Sequence, residues 1–508
     1  MPVGYRAPVA SPSDPAASPR PPVAWLPVSS AVAAAVAALA ATANSYGYHR
    51  DELYFLMLKP AWGYVDQPPL TPLLARAAHD LFGQTVWGLR VPAILAFAAT
   101  VLLVALTTRE LGGGRGAQAL SAWAVAFAAV PVASGHLLVT TTLDLPLWAA
   151  VLLCATRALL RDQPRWWLAA GALVGLAMYN KLLIAMLLVG LAVGLLAVGP
   201  RSVPRSRWLW GGVALAMVLG APNLIYQVTH DFPQLEMGAA LAENNADEVR
   251  AQTVPFQLLL VGPPLAAIWI AGFVALWRRP AWRPVRAVAV AYLVVVVLTF
   301  VGGAQVYYAM GVMVYLLAAG AVVTADWAAR GRVAVRRGLV VAAVALNVAA
   351  TCLISLPFIP VTRVGDTFVP ELNQVTGDQV GWPAYVAEIA RVHRALPAPD
   401  QARAVVVTGN YGEAGAVARF GPALGLPAVY SGQNELYHYG PPPADRTVAV
   451  VVGQRLPFLQ TRFAACVSAG VLDNGVAVDN EEQDVPVWVC RDPVGGWSAV
   501  WPRLQHYD

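Results

Sequence analysis

Long apolar runs alternate along the chain with short stretches of arginine, proline and glycine, and the runs lack the period-two alternation of a half-buried strand. Val28 to Thr42, Val91 to Thr107 and Leu339 to Leu356, with their flanks, suit a helix of the roughly 20 residues that cross about 30 Å of hydrocarbon. Reading each run against its flanks predicts about eleven spans, at 24–44, 87–107, 117–134, 142–160, 166–180, 182–199, 208–228, 255–276, 286–303, 306–325 and 338–357. No small-residue cleavage site follows the first apolar segment, which therefore reads as a retained helix. Residues 1–23, rich in Pro, Ser and Ala, read as a disordered cytoplasmic tail.

The pattern changes near residue 358. Ala404 to Thr408, Thr447 to Val452 and Val485 to Cys490 are strand-like runs between helical and Gly/Pro-rich pieces, which predicts a small α/β domain over 358–508. The fold expected is a polytopic α-helical membrane protein with about eleven transmembrane helices over 24–357 and a small C-terminal α/β domain outside the membrane.

Composition agrees with that class. Of 508 residues, 58% are hydrophobic and 12% charged, where a soluble protein carries roughly a quarter charged residues. The net charge of +5 does not point to nucleic acid, because the positive residues punctuate apolar runs and form no stripe. Their distribution sets an orientation. With the N-terminus cytoplasmic, that face receives 18 arginines, and the opposite face, up to the last span, only Arg50, Lys59, Arg76, Arg90, Lys181 and Arg250. The first loop, 45–86, and the C-terminal domain are then extracytoplasmic, as expected of a multi-pass protein of a bacterial plasma membrane. Cys466 and Cys490 fall in that outer domain, where a disulfide and two unpaired core cysteines are equally good readings.

Candidate chemistry gathers on the outer face. The first loop is long for a connection, and Tyr54, Phe55, Trp62, Tyr64, Leu70, Leu73 and Leu74 recur at amphipathic spacing, which suits helices lying in the interface. Asp51 and Glu52 open the first of these helices, where a carboxylate also serves as a cap. Asp144 stands at the outer end of the fourth span, a depth at which an ionisable group is costly. Lys59 and Lys181 are the chain's only lysines. Lys181 lies in the turn between the fifth and sixth spans, placed either to snorkel or to meet an anionic phosphate, and Arg90 offers the same two readings. Acids beside cations at a bilayer boundary suit a lipid-linked sugar phosphate: cations stabilise the departing phosphate, and a carboxylate accepts the proton of an attacking hydroxyl. No zinc-protease helix, phosphate-binding glycine loop or Gly-x-Ser-x-Gly elbow is present.

With these residues in view, the chain resembles the GT-C glycosyltransferases, in particular the bacterial relatives of protein O-mannosyltransferases and of the lipid A aminoarabinose transferase. Tyr48 to Tyr54 resembles the family's first-loop Asp-Glu motif, Val65 to Leu70 its acidic-x-Pro-Pro-Leu element, and Arg90-Val91-Pro92 its Arg-Leu-Pro. The resemblance implies Asp51 as catalytic base with Glu52 beside it, Asp144 as the acidic residue of the second outer loop, and Lys181, Arg90, Tyr307, Tyr308 and Lys59 around the donor phosphate. It implies an inverting transfer from a polyprenyl-phosphate sugar donor to an acceptor hydroxyl on protein, lipid or cell-wall glycan. Gln67 stands where relatives often carry His or Lys, and Gln305 where many carry Lys, so a divalent metal ion, with Asp66 as its one candidate ligand, stays open. Gly409 to Ala416, Gly425-Leu426-Pro427 and Ser431 to Asn434 resemble a sub-group of these enzymes. Read from the residues alone, Gly409 to Gly415 is a helix start that either binds an anion or takes Glu413 as its cap, the cap being favoured. The rival reading is a secondary transporter. Against it stand the absence of a duplicated half, the absence of a pair of Gly/Pro-broken spans in corresponding positions, and acids gathered on one face instead of the midplane. A non-catalytic scaffold would not require adjacent acids opposite outer lysines.

Overall fold

The structure, a computed structural model, describes residues 20–303 and 305–507. The expected tail over 1–23 lies outside the described residues except for its last four. Helices α1 (Trp25–Thr42), α2 (Arg50–Met57), α3 (Leu70–Leu81), α4 (Val86–Glu110), α5 (Arg115–Ala126), α6 (Ala129–His136), α7 (Thr140–Leu160), α8 (Trp166–Ala177), α9 (Ile184–Val198), α10 (Arg207–Thr229), α11 (Pro233–Leu259), α12 (Ala266–Arg278), α13 (Ala287–Gly302), α14 (Met310–Ala328) and α15 (Val333–Ser355) build the apolar bundle and its outer loop.

Among the described residues six helices are long and apolar enough to cross a membrane, and two bent pairs raise that to eight. The other three expected spans fall on α8, α9 and α13, of 12, 15 and 16 residues. At about 1.5 Å per residue these are shorter than the hydrocarbon core. The chain is thus a polytopic membrane protein with a small sheet domain.

Two features depart from the sequence reading. The expected span at 117–134 is broken into α5 and α6, bent by 59°, and α11 meets the helix that follows it at 67°. Two of the expected spans are therefore broken, where the apolar runs predicted continuous helices. The breaks abut: Val130 N–H donates to Leu260 O at 3.0 Å. From α15, the buried Asn347 amide donates to Phe127 O at 2.7 Å and to Val261 O at 3.1 Å. Carbonyls freed at a helix break have no water partner in hydrocarbon, so one side chain satisfies both breaks. Gly262, at φ +98°, lies directly under the Asn347 side chain and leaves no room for a Cβ.

At the bundle centre α14 is buried on all sides from Met310 to Val322. It meets α12 through Gly320 against the Ile268 backbone and Gly272 against Leu316, so the two main chains touch where any larger side chain would hold them apart. By contrast, α15 is peripheral, and its buried residues are Asn347 and Thr351.

The outer domain is a five-stranded sheet of order β2-β1-β3-β5-β4, with β1 (Ala404–Thr408), β2 (Val429–Ser431), β3 (Val448–Val451), β4 (Phe463–Val471) and β5 (Pro486–Pro493). β1 pairs in parallel with β2 and β3, while β5 runs antiparallel to β3 and β4. β1 and β3 are buried along their whole length, as near-continuous Val and Ala runs predict. Cys466 and Cys490 face each other across β4 and β5 and are joined by a disulfide. One apolar cluster runs from Leu53, Tyr54 and Phe55 on α2 to Trp382 and Tyr385 and on to Val406 and Val450 of the sheet, so the first loop and the outer domain share a core.

Candidate active site

His49 caps α2. Its Nδ1 accepts from Asp51 N–H at 3.2 Å, and Glu52 Oε2 accepts from the His49 backbone N–H at 2.9 Å. The neighbouring acids then diverge, because successive helical positions face about 100° apart. Glu52 turns inward and is fully buried, while Asp51 turns to a cavity.

Glu52 meets Arg90, itself 0% exposed, through two parallel bonds: Nε to Oε1 and Nη2 to Oε2, both 2.9 Å. Arg90 Nη1 also donates to Ala43 O at 2.7 Å and faces His136 Nε2 at 3.0 Å. Nη2 reaches Gly47 O at 2.8 Å and Gln379 Oε1 at 3.1 Å. A guanidinium has five N–H donors, and all are engaged. Arg90 thus spends its hydrogens within the protein, and whether it meets a donor phosphate is a matter for the function proposed below. Glu52 Oε1 also accepts from Leu138 N–H at 3.0 Å. Its place is in a knot that ties α1, the first loop, α4 and the junction before α7, and not on the cavity wall.

Asp144 is buried in the first turns of α7. Its Oδ1 accepts from Asn180 Nδ2 at 2.8 Å, and its Oδ2 has no hydrogen-bond partner among the described residues. Asn180 also donates to Thr140 O at 2.8 Å and accepts from the Thr71 hydroxyl at 2.6 Å, which fastens α3 to the turn that carries Lys181. The Lys181 ammonium forms no ion pair among the described residues. It lies over the rings of Tyr308, at 5.1 Å, and Tyr307, at 5.9 Å, in cation–π contact. Asp144 and Asp51 are the carboxylates whose field reaches it.

Between α6, the head of α7, the break after α11, and α15 lies a cavity of about 400 Å³. Its walls are mostly apolar and include His49, Asp51 and Tyr307, with Asn347, Thr351 and Ser355 from α15. Asp51, Asp144, Lys181, Tyr307 and Tyr308 thus converge at the outer end of the bundle. Lys59 does not join them: it is exposed, with its amine over the Tyr439 ring at 4.4 Å. Asp66 lies beside Tyr54 and Glu435. Burial pushes its carboxyl up to about 7, against the opposing hydrogen bond from Tyr54. No group of three His, Cys, Asp or Glu side chains suited to a metal forms among the described residues.

The outer domain contributes one contact that sequence reasoning missed. Tyr411 donates its hydroxyl to Asp51 Oδ1 at 2.9 Å from 360 positions away. The helix it opens, Tyr411–Phe420, is capped by Asn410 and Glu413, whose Oε2 accepts from Gly409 and Asn410 N–H groups. The cap is the reading that this motif takes in the structure. Asn180 and Asn347 were equally unassigned; a polar residue within an apolar stretch was the available signal for both.

No curated protein matches by sequence. The pattern of the dolichyl-phosphate-mannose-protein mannosyltransferase family matches residues 66–226. The crystal structure of ArnT from Cupriavidus metallidurans in the apo state superimposes with a TM-score of 0.59 at 14% identity, covering 91% of this chain and 97% of that one. The same protein bound to undecaprenyl phosphate gives 0.57 at 15% identity, with the same coverage. The chain therefore shares the fold of ArnT, with residues 66–226 carrying the pattern of the dolichyl-phosphate-mannose-protein mannosyltransferase family.

Proposed function

We propose that the protein is a membrane glycosyltransferase that moves a sugar from a polyprenyl-phosphate-linked donor to an acceptor hydroxyl on the extracytoplasmic side of a bacterial plasma membrane. The observation that carries this reading is the Lys181 ammonium, without an ion pair among the described residues, seated on Tyr308 and on Tyr307, a tyrosine that lines an apolar cavity together with Asp51. A half-buried ammonium between aromatic faces is stabilised further by an anion, and phosphate at the foot of a prenyl chain supplies one at this depth. The match to residues 66–226 and the fold shared with an undecaprenyl-phosphate-binding protein support it.

In this mechanism Asp51 takes the acceptor proton, and Lys181 with Tyr307 and Tyr308 stabilises the leaving phosphate. Asp144 holds sugar or acceptor through its free Oδ2. The transfer is a single displacement and inverts the anomeric centre. Arg90 and Glu52 hold the first loop in place, and Lys59 has no part in the chemistry. Residues 24–357 form the catalytic module, 358–508 the extracytoplasmic domain, and the N-terminus is cytoplasmic.

The two broken spans favour a second reading, transport of a small anionic or sugar-like solute, because discontinuous helices line many transporter sites. Here the broken ends are closed on each other and on Asn347, and the ionisable groups lie at the outer end. The deciding experiment measures consumption of radiolabelled polyprenyl-phosphate sugars by purified wild type and Asp51→Asn. Turnover by wild type alone supports transfer with Asp51 as base. Equal turnover moves the base elsewhere, and none with any donor favours transport.

A further inference from the structure

We propose that Tyr411 of the outer domain is the positioning residue that orients Asp51, so that the C-terminal domain completes the active site. The inference rests on the reading of Asp51 as base. A carboxylate on the first turn of an eight-residue helix rotates freely unless something holds it. Tyr411 holds it by donating to Oδ1, which leaves Oδ2 as the oxygen that meets the acceptor. Burial keeps the phenol of Tyr411 far above its ordinary range, with Asp51 adding to the effect, so it stays a donor at any working pH.

The ring is itself fixed on several sides. Tyr54 packs against it at 4.7 Å and the Arg50 guanidinium lies over it at 4.9 Å. Its backbone N–H donates to the buried Gln433 Oε1 at 2.6 Å. Gly412 and Gly415 let the helix lie directly on Arg50 and Leu53, where a Cβ would collide. The glycines, the cap and Gln433, all within the motifs quoted from this region, thus converge on placing one hydroxyl 2.9 Å from one carboxylate oxygen.

In the step this serves, the acceptor O–H proton passes to Asp51 Oδ2. The acceptor oxygen's electron pair forms the new bond to the anomeric carbon as the bond from that carbon to the phosphate oxygen breaks. The leaving pair stays on the phosphate, beside Lys181, and Tyr411 keeps its own proton throughout.

The test uses full-length protein in detergent, with a polyprenyl-phosphate sugar that wild type consumes. Tyr411→Phe removes only the hydroxyl, and its kcat is expected to fall by roughly tenfold or more, the scale of one hydrogen bond to a charged group. Donor KM should stay within about twofold, since Tyr411 is assigned no donor contact. In an Asp51→Glu background, where the longer acid displaces the carboxylate from Tyr411, the same change is expected to cost little further, a coupling that a purely structural role would not show. Gln433→Leu, which frees the Tyr411 backbone, should lower kcat in the same direction and stands in if Tyr411→Phe does not fold. Unchanged kcat in both variants, or equal losses in the Asp51 and Asp51→Glu backgrounds, overturns the inference alone. A wild type that consumes no donor overturns the transferase reading and this inference together.

Discussion

Removing the Arg90 guanidinium leaves Glu52 buried with no counter-charge, a change that costs about 3–5 kcal/mol in other proteins. Arg90→Met is therefore expected to lower the melting temperature in detergent sharply, while the fraction that still folds keeps its donor KM. Lys181→Met should behave in the opposite way. Its ammonium ties no two elements together by an ion pair, so melting should change little and donor KM should rise by about tenfold or more. A sharp loss of affinity in Arg90→Met, or of stability in Lys181→Met, would exchange the two assignments. In the sequence both are outer cations at span ends and look alike. What separates them is how many hydrogen-bond acceptors the fold brings to each, and Ala43, Gly47, Gln379 and Glu52 come to Arg90 from distant positions.

At the scale of elements, the contact between α12 and α14 is set by two glycines. Gly320→Leu is expected to force the helices apart and to leave little folded protein by size-exclusion chromatography in detergent, whereas Gly338→Leu, in open space on α15, should be silent. The stability of the outer domain is expected to vary with pH. Burial raises Glu482 from 4.5 to about 8 and Glu413 from 4.5 to about 7. A carboxyl raised in the folded state gives stability that is complete below its unfolded pKa and is lost as pH rises through the folded one. The melting temperature should thus be highest near pH 5 and decline toward about pH 8, with Glu482→Gln flattening the decline. A curve that rises over this window, or a variant that follows wild type, would discount these acids. Apolar periodicity made most helices and the central strands legible, since both depend on local pattern. It did not reveal the breaks at Phe127 and Val261. A bent helix is as apolar as a straight one, and nothing near either break names Asn347 as its partner.

Taken whole, the molecule has no clean seam near residue 358. The core shared by α2 and the sheet means that a chain ending there exposes Leu53, Tyr54 and Phe55. Truncation after residue 357 is expected to yield a protein that aggregates on extraction and consumes no donor, even though every proposed donor contact is still encoded. Active, monodisperse truncated protein would show the domain to be an appendage. Arginine asymmetry predicts the orientation directly: in intact cells Asp247→Cys should react with an impermeant maleimide and Arg283→Cys should not. The membrane half of the candidate site was readable because Asp51, Asp144 and Lys181 are rare charges in an apolar chain. Its outer half was not, because Tyr411 is an ordinary tyrosine until the chain folds back.

The amide of Asn347 also imposes an order in time. Phe127 O precedes its donor by 220 positions and Val261 O by 86. At synthesis rates of about 5–20 residues per second, the earlier carbonyl waits on the order of 10–40 s inside the bilayer before the last helix arrives. Until then the early spans need another partner at that break, from lipid, trapped water or the insertion machinery. The chain therefore holds an unfinished bundle for most of its birth, and closes it only as the outer domain begins to emerge.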